Sequence, residues 1–276
     1  MDVLKAVLFG MVEGVTEWLP VSSTGHMILL DEFVRLDVSE SFYSMFQVVI
    51  QLGAILAVVL FFRKDYFPAA IIKNDTGHFV PVLKKDKLLL WQKILAACMP
   101  AAAVGLLWNE KLEAMFFNYR TVAVMLIAFG LAFLVIEDMN QGKVPKAEKV
   151  EDITWNMALL IGCFQLIAAV FPGTSRSGAT IAGALLLGVS RVAAAEFTFY
   201  LAIPVMFGAS LLKLLHFGWK FTPRELTVLT VGMTVAFLVS AVVIQFLMEY
   251  VRKHDFRVFG WYRIALGVSV LMYFGA

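Results

Sequence analysis

The chain has 276 residues, of which 61% are hydrophobic and only 16% charged, with a mean hydropathy of +0.82. Water-soluble domains carry about 45–50% apolar and about 25% charged residues, so a soluble enzyme, a disordered chain and a disulfide-stapled scaffold are excluded. The net charge of +2 gives no support for a nucleic-acid partner, and Cys98 and Cys163 stand in apolar runs without a CxxC or Cys/His cluster. What remains is an all-α polytopic membrane protein, read as a single integral membrane domain over 1–276.

In chain order, the first apolar stretch covers about 1–30 and is interrupted by LPVSSTGH at 19–26. It reads as membrane body and not as a cleavable signal, because Lys5 stands alone and EGVTE breaks the apolar run. Spans of roughly 20 apolar residues follow at about 42–62, 88–108 and 119–136. A second interrupted stretch, about 153–190, contains FPGTSRSGAT at 171–180, and three more spans follow at 194–217, 226–249 and 259–275. Irregular backbone is tolerated at membrane depth only inside protein or beside a wet cavity. Both interrupted stretches are therefore expected to be re-entrant helix–loop–helix elements, beside about six transmembrane helices.

The interrupted stretches resemble each other. A shift of 152 sets Gly10 on Gly162, Glu13 on Gln165, Pro20 on Pro172 and Ser23 on Ser175. The chain thus reads as two internal repeats, about 1–137 and 150–276, each with one re-entrant element and three spans. An odd number of spans makes the repeats inverted, with the broken segments marking the site. Of the 23 Lys and Arg, fifteen fall on the side of loop 63–87, Arg263 among them, seven fall on the other, and Arg176 lies within. The positive-inside rule makes the loop 63–87 side cytoplasmic, with both termini and the mouth of the first loop outside.

Ionisable residues at membrane depth are costly and usually functional. Glu13 and Glu17 are four apart and share a helix face. Two carboxylates in a low dielectric repel unless a cation or proton lies between them, which suits Mg²⁺ or Ca²⁺. After Pro20 come Ser22, Ser23, Thr24, Gly25 and His26. The hydroxyls are either anion donors at a helix N-terminus or simple caps, and His26 is a candidate nucleophile or acid–base group. In the second loop Gly173 permits close backbone approach, while Thr174, Ser175, Ser177 and Thr180 supply hydroxyls. Arg176 supplies a planar five-donor cation suited to phosphate, and Gly178 and Ala179 let a helix start against the ligand. A structural pairing of Arg176 with a carboxylate such as Glu196 is the plainer alternative. Gln47, Gln51 and Gln165 read as interhelical polar contacts, and Gly53, Gly105, Gly130, Gly183, Gly188, Gly208 and Gly267 as sites of close helix packing. Anion cradle, carboxylate pair and His together point to phosphoryl chemistry on a lipid.

At these residues the sequence resembles the bacterial undecaprenyl-diphosphate phosphatase family of the bacitracin-resistance type. EGVTE at 13–17, PVSSTGH at 20–26 and PGTSRSGAT at 172–180 match its motifs completely and in order. The resemblance implies a multi-pass protein of the bacterial plasma (inner) membrane. It would hydrolyse a polyprenyl diphosphate lipid, undecaprenyl diphosphate, to undecaprenyl phosphate and inorganic phosphate at the outer, periplasmic side, with a divalent cation. That activity recycles the lipid carrier for peptidoglycan and counters bacitracin. It also implies that Glu17 and Glu13 bind the metal or polarise the catalytic group, and that Arg176 holds a phosphate. Ser175, Ser177 and Thr180 would bond the diphosphate. Ser23 and His26 are rival nucleophiles, with His26 preferred and with His26 as base should Ser23 attack; a metal-activated water is the third option. A lipid-phosphate transporter built on the same inverted repeats is the alternative function, and a homodimer stays open for the assembly.

Overall fold

The computed structural model describes residues 2–73 and 79–275; of the basic loop 63–87, residues 74–78 lie outside them. Among the described residues, six helical segments are long and apolar enough to cross a membrane: Glu40–Lys64, Lys85–Leu107, Tyr119–Asn140, Arg191–Phe217, Pro223–Lys253 and Arg257–Gly275. They coincide with the six spans read from the sequence. The described residues are all-α apart from one antiparallel hairpin, β1 (Ala69–Lys73) with β2 (Phe79–Leu83), which the sequence reading did not anticipate.

The chain begins with α1 (Asp2–Thr16), breaks at 17–22, and resumes as α2 (Ser23–Phe33). The first span is two helices, α3 (Glu40–Val49) and α4 (Gln51–Tyr66), interrupted at Ile50; α5 (Lys85–Phe116) and α6 (Tyr119–Asn140) complete the first half. The second half repeats the order: α7 (Trp155–Val170), a break, α8 (Arg176–Leu186), α9 (Arg191–Phe217), α10 (Pro223–Lys253) and α11 (Arg257–Gly275). Helix starts follow local chemistry. Asn118 Oδ1 accepts from Thr121 N at 3.0 Å, and Thr222 and Glu225 form a capping box ahead of Pro223 at the first turn of α10.

Lipid tails give helices no hydrophobic reason to associate, so the bundle depends on close backbone approach. α1 packs on α10, α7 on α5, and α6 on α11. A Cβ on Gly10 would lie 2.6 Å from Gly232 O, one on Gly130 2.7 Å from Gly260 O, and one on Gly267 2.8 Å from Ala123 O. Gly53 abuts Met233 O in the same way. Gly105 and Gly208 meet nothing, and Gly188 is a positive-φ turn residue, so these three do not serve the packing expected of them. Met99, Leu106, Val242 and Met272 remain 66–71% exposed, as an outer face turned to lipid requires.

Ion pairs identify the two ends. At one, Arg224 pairs with both Asp2 and Asp37, so the start of α1 lies beside the residues just past α2. The Arg224 guanidinium holds the Asp2 carboxyl below the usual carboxylate range. At the other end, Lys87 pairs with Glu151, Lys93 donates to Ile153 O, Arg191 pairs with Glu137, and Lys146 N donates to Gly188 O. That end gathers the start of α7 and the residues after α8.

Candidate active site where the two loops meet

The break after α1 and the break after α7 come together at the centre of the bundle. Each following helix is capped by a serine in the left-handed region, Ser22 at φ 74° and Ser175 at φ 69°. Their side chains accept from Gly25 N at 3.4 Å and Gly178 N at 3.1 Å. Such φ values cost a non-glycine residue on the order of 1 kcal/mol and persist where the surroundings over-determine them. The matched caps correct the loop alignment. Ser175 takes the role of Ser22, not of Ser23, because the second loop is one residue longer, with Gly173 at φ 89° between Pro172 and the cap.

Ser23 and Arg176 are therefore equivalent: each is the first residue after its cap. Both converge on one carboxylate. Ser23 Oγ donates to Glu17 Oε2 at 2.8 Å, and Arg176 Nη2 donates to Glu17 Oε1 at 3.2 Å. The carboxylate that meets Arg176 thus comes from the opposite loop. Arg176 Nη1 donates to Thr198 O at 3.0 Å, the guanidinium lies 5.9 Å over the ring of Trp18, and its Nε is buried without a partner. Ser177 Oγ donates to Glu17 O at 3.1 Å and lies 3.0 Å from Ser175 Oγ. Thr180 Oγ1 donates to Arg176 O at 3.0 Å and lies 2.8 Å from Thr198 Oγ1. Ser177 thus ties the second loop to the first, and Thr180 ties α8 to α9.

Glu13 is 1% exposed and Glu17 7%. Glu17 N donates to Glu13 O at 3.0 Å, so the helical turn continues through Glu17 and the two carboxylates lie on one helix face. His26 stands apart from this pairing. Its Nδ1 lies 2.7 Å from Ser22 O; a carbonyl only accepts, so Nδ1 carries the proton. Nε2 then accepts from Tyr262 Oη at 2.7 Å, with the two rings stacked. His26 is thus held at both nitrogens, and among the described residues no hydrogen bond joins it to Ser23. Thr24 is partly exposed in the first turn of α2.

Gly173 and Thr174 lie against α6 and α11. A Cβ on Gly173 would lie 2.5 Å from Val122 O, so its backbone approaches α6 closely. The carbonyls of both residues accept from Arg263. Arg263 had been counted among the basic residues of the loop 63–87 side; it is fully buried inside α11. A Cβ on Gly178 would meet Arg263 Nη1 at 2.8 Å, so that glycine makes room for Arg263. Gln47 donates to Tyr43 on its own helix, and both polar atoms of Gln165 are buried without a partner.

The family model described as bacitracin resistance protein BacA matches residues 6–269. The chain belongs to this family. It is 59% identical to a protein named undecaprenyl-diphosphatase from Desulfitobacterium hafniense, over all of this chain and 97% of that one. Undecaprenyl-diphosphatase 1 of Clostridium acetobutylicum is 57% identical over 99% of this chain and 98% of its own, and an Enterococcus faecalis undecaprenyl-diphosphatase is 54% identical over 99% and 97%.

Within this BacA-family chain the donor set suits a hard divalent cation. Glu13 Oε1 is a buried carboxyl oxygen without a hydrogen-bond partner, beside a second carboxylate. Among the described residues no third His, Cys, Asp or Glu completes the set. Further oxygen ligands would come from hydroxyls, water or the diphosphate. Four neighbours of the candidate residues escaped the sequence reading: Trp18, Thr198, Tyr262 and Arg263. Arg263 carried the available signal, a charge inside a span already drawn at 259–275.

Proposed function

We propose that this chain is a membrane phosphatase that hydrolyses undecaprenyl diphosphate to undecaprenyl phosphate and inorganic phosphate at the junction of its two loops. One observation carries the chemistry: Glu17 is shared by the Ser23 hydroxyl and the Arg176 guanidinium. The names of the full-length relatives support the substrate, and they give no support to a transporter. Recycling the lipid carrier feeds peptidoglycan synthesis and removes the diphosphate form that bacitracin sequesters.

The terminal phosphate docks on Arg176 at Nε, the guanidinium nitrogen that is buried without a partner. Glu17 Oε2 takes the proton of Ser23 Oγ as that oxygen attacks phosphorus, and the P–O bond to undecaprenyl phosphate breaks. Arg176 stabilises the charge that develops on the phosphoryl oxygens. Water then hydrolyses the phosphoserine, and Glu17 returns the proton to Ser23. His26, fixed by Ser22 O and Tyr262, orients the first turn of α2 beside the nucleophile. Glu13 and Glu17 would hold Mg²⁺ or Ca²⁺, which when bound neutralises diphosphate charge.

Two inverted repeats with re-entrant elements position this chemistry. Supporting that reading, helix contacts survive exchange of the halves: α1 on α10 corresponds to α7 on α5, α4 on α10 to α9 on α5, and α6 on α8 to α11 on α2. The protein is a multi-pass protein of the plasma membrane. With Arg263 removed from the fifteen, fourteen basic residues still oppose seven, which supports an outward-facing first loop. The test is phosphate release from a C55 prenyl diphosphate by purified protein in detergent, with and without EDTA, beside Glu17→Ala and Arg176→Ala. Metal-dependent release lost in both variants is expected; intact lipid after incubation with folded wild type overturns the proposal.

A further inference from the structure

Arg263 is fully buried in α11, and three backbone carbonyls from two different loops surround it. Nη1 donates to Pro20 O at 3.1 Å, and Nη2 donates to Gly173 O at 3.0 Å and to Thr174 O at 2.7 Å. Pro20 stands three residues from both Glu17 and Ser23; Thr174 stands two residues from Arg176. No carboxylate is recorded in an ion pair with Arg263 among the described residues. Its guanidinium lies 5.8 Å over the Phe129 ring, and Nε has no partner. Burying a charge so is costly, and a planar fork is the one side-chain geometry that grips divergent carbonyls at fixed separation. Gly178, in the first turn of α8, leaves the space the fork occupies.

We infer that Arg263 is the positioning residue of this site: it fastens the carboxylate loop to the arginine loop, and its unneutralised charge adds to the site's affinity for a dianion. The inference rests on the phosphatase reading above. The two functions are separable, because Lys keeps the charge and loses the fork, whereas Met loses both. Gly178→Ala presses on the fork, and more lightly on Ser175, without replacing Arg263, at a helix position where Ala is the better helix former.

The experiment measures kcat and KM on C55 prenyl diphosphate, and the Kd of a non-hydrolysable methylene-bridged prenyl diphosphate, for wild type, Arg263→Lys, Arg263→Met, Gly178→Ala and the double variant Gly178→Ala/Arg263→Met. Monodispersity and Tm report folding. Arg263→Lys should lose about 100-fold in kcat, the scale of a misplaced reactive group, with the analogue Kd within about threefold. Arg263→Met should lose as much kcat and bind the analogue about tenfold more weakly, a loss that Lys restores. Gly178→Ala should lose about tenfold in kcat, and the double variant should be no worse than Arg263→Met, since both changes remove one contact. Folded Arg263→Lys with turnover within threefold of wild type overturns the inference, as do additive losses in the double variant. Should Arg263→Met fail to fold, the Lys and Ala variants decide alone. Failure of wild type to hydrolyse the lipid overturns the phosphatase reading instead, and the analogue affinities then still test the charge of Arg263.

Discussion

The two loops share a backbone and divide the chemistry. Both follow a short helix, both are capped by a serine at positive φ, and both point a glycine N–H at that cap. Yet the first carries Glu13, Glu17 and Ser23, and the second places Gln165 and Arg176 at the corresponding points. One half thus contributes carboxylates and a hydroxyl, the other a cation, and the two halves meet on Glu17. A repeated scaffold fixes where side chains can be aimed; the residues placed on it decide which half does which work.

Neutralising the meeting point should have the largest effect. Glu17→Gln keeps the shape but removes base and ion-pair partner together, and phosphate release should fall by about 10³-fold; activity within tenfold of wild type would dissolve the convergence. Ser23→Ala should cost as much, and His26→Ala about ten- to a hundredfold, measured in the same assay. The reverse order would move the nucleophile to His26. Arg176→Lys retains charge without the fork and should raise KM by about tenfold or more, with a smaller loss in kcat. Glu13→Gln should increase by about tenfold the Mg²⁺ needed for half-maximal turnover after EDTA treatment; an unchanged requirement would take Glu13 out of the cation site. Gln165→Leu sharpens the contrast from the other side. It replaces buried polar atoms that have no partners, so it should leave turnover intact and stabilise by about 1 kcal/mol, read as a modest rise in Tm.

The spans were legible because length and hydropathy alone define them. The site was legible where cost made it visible: Glu13, Glu17 and Arg176 are ionisable groups in apolar surroundings. The loop register was not, because a single added residue such as Gly173 leaves the flanking pattern intact, and a constant shift hides it. Arg263 was assigned to a helix end by position along the chain, although burial depends on which face α11 turns inward. Tyr262, one residue earlier and half exposed, was missed because its bond to His26 joins α11 to α2 across 236 residues. The partners of His26 and Ser23 depend on rotamers and on α11, which no spacing rule reaches. Hairpin β1–β2 was passed over because two five-residue segments beside a charged loop carry little pattern.

Trp18 has a consequence of another kind. It is fully buried, edge-on to Phe199 at 5.2 Å, and its indole lies 5.9 Å beneath the Arg176 guanidinium, the proposed phosphate grip. Indole emission responds to a cation held over its face. Of the six tryptophans in the chain, this one alone has Arg176 recorded above it among the described residues. With the others replaced by phenylalanine, the protein carries its own optical gauge at the reaction centre. Arrival and departure of the anion then become a time-resolved signal, read from unlabelled protein within a single turnover.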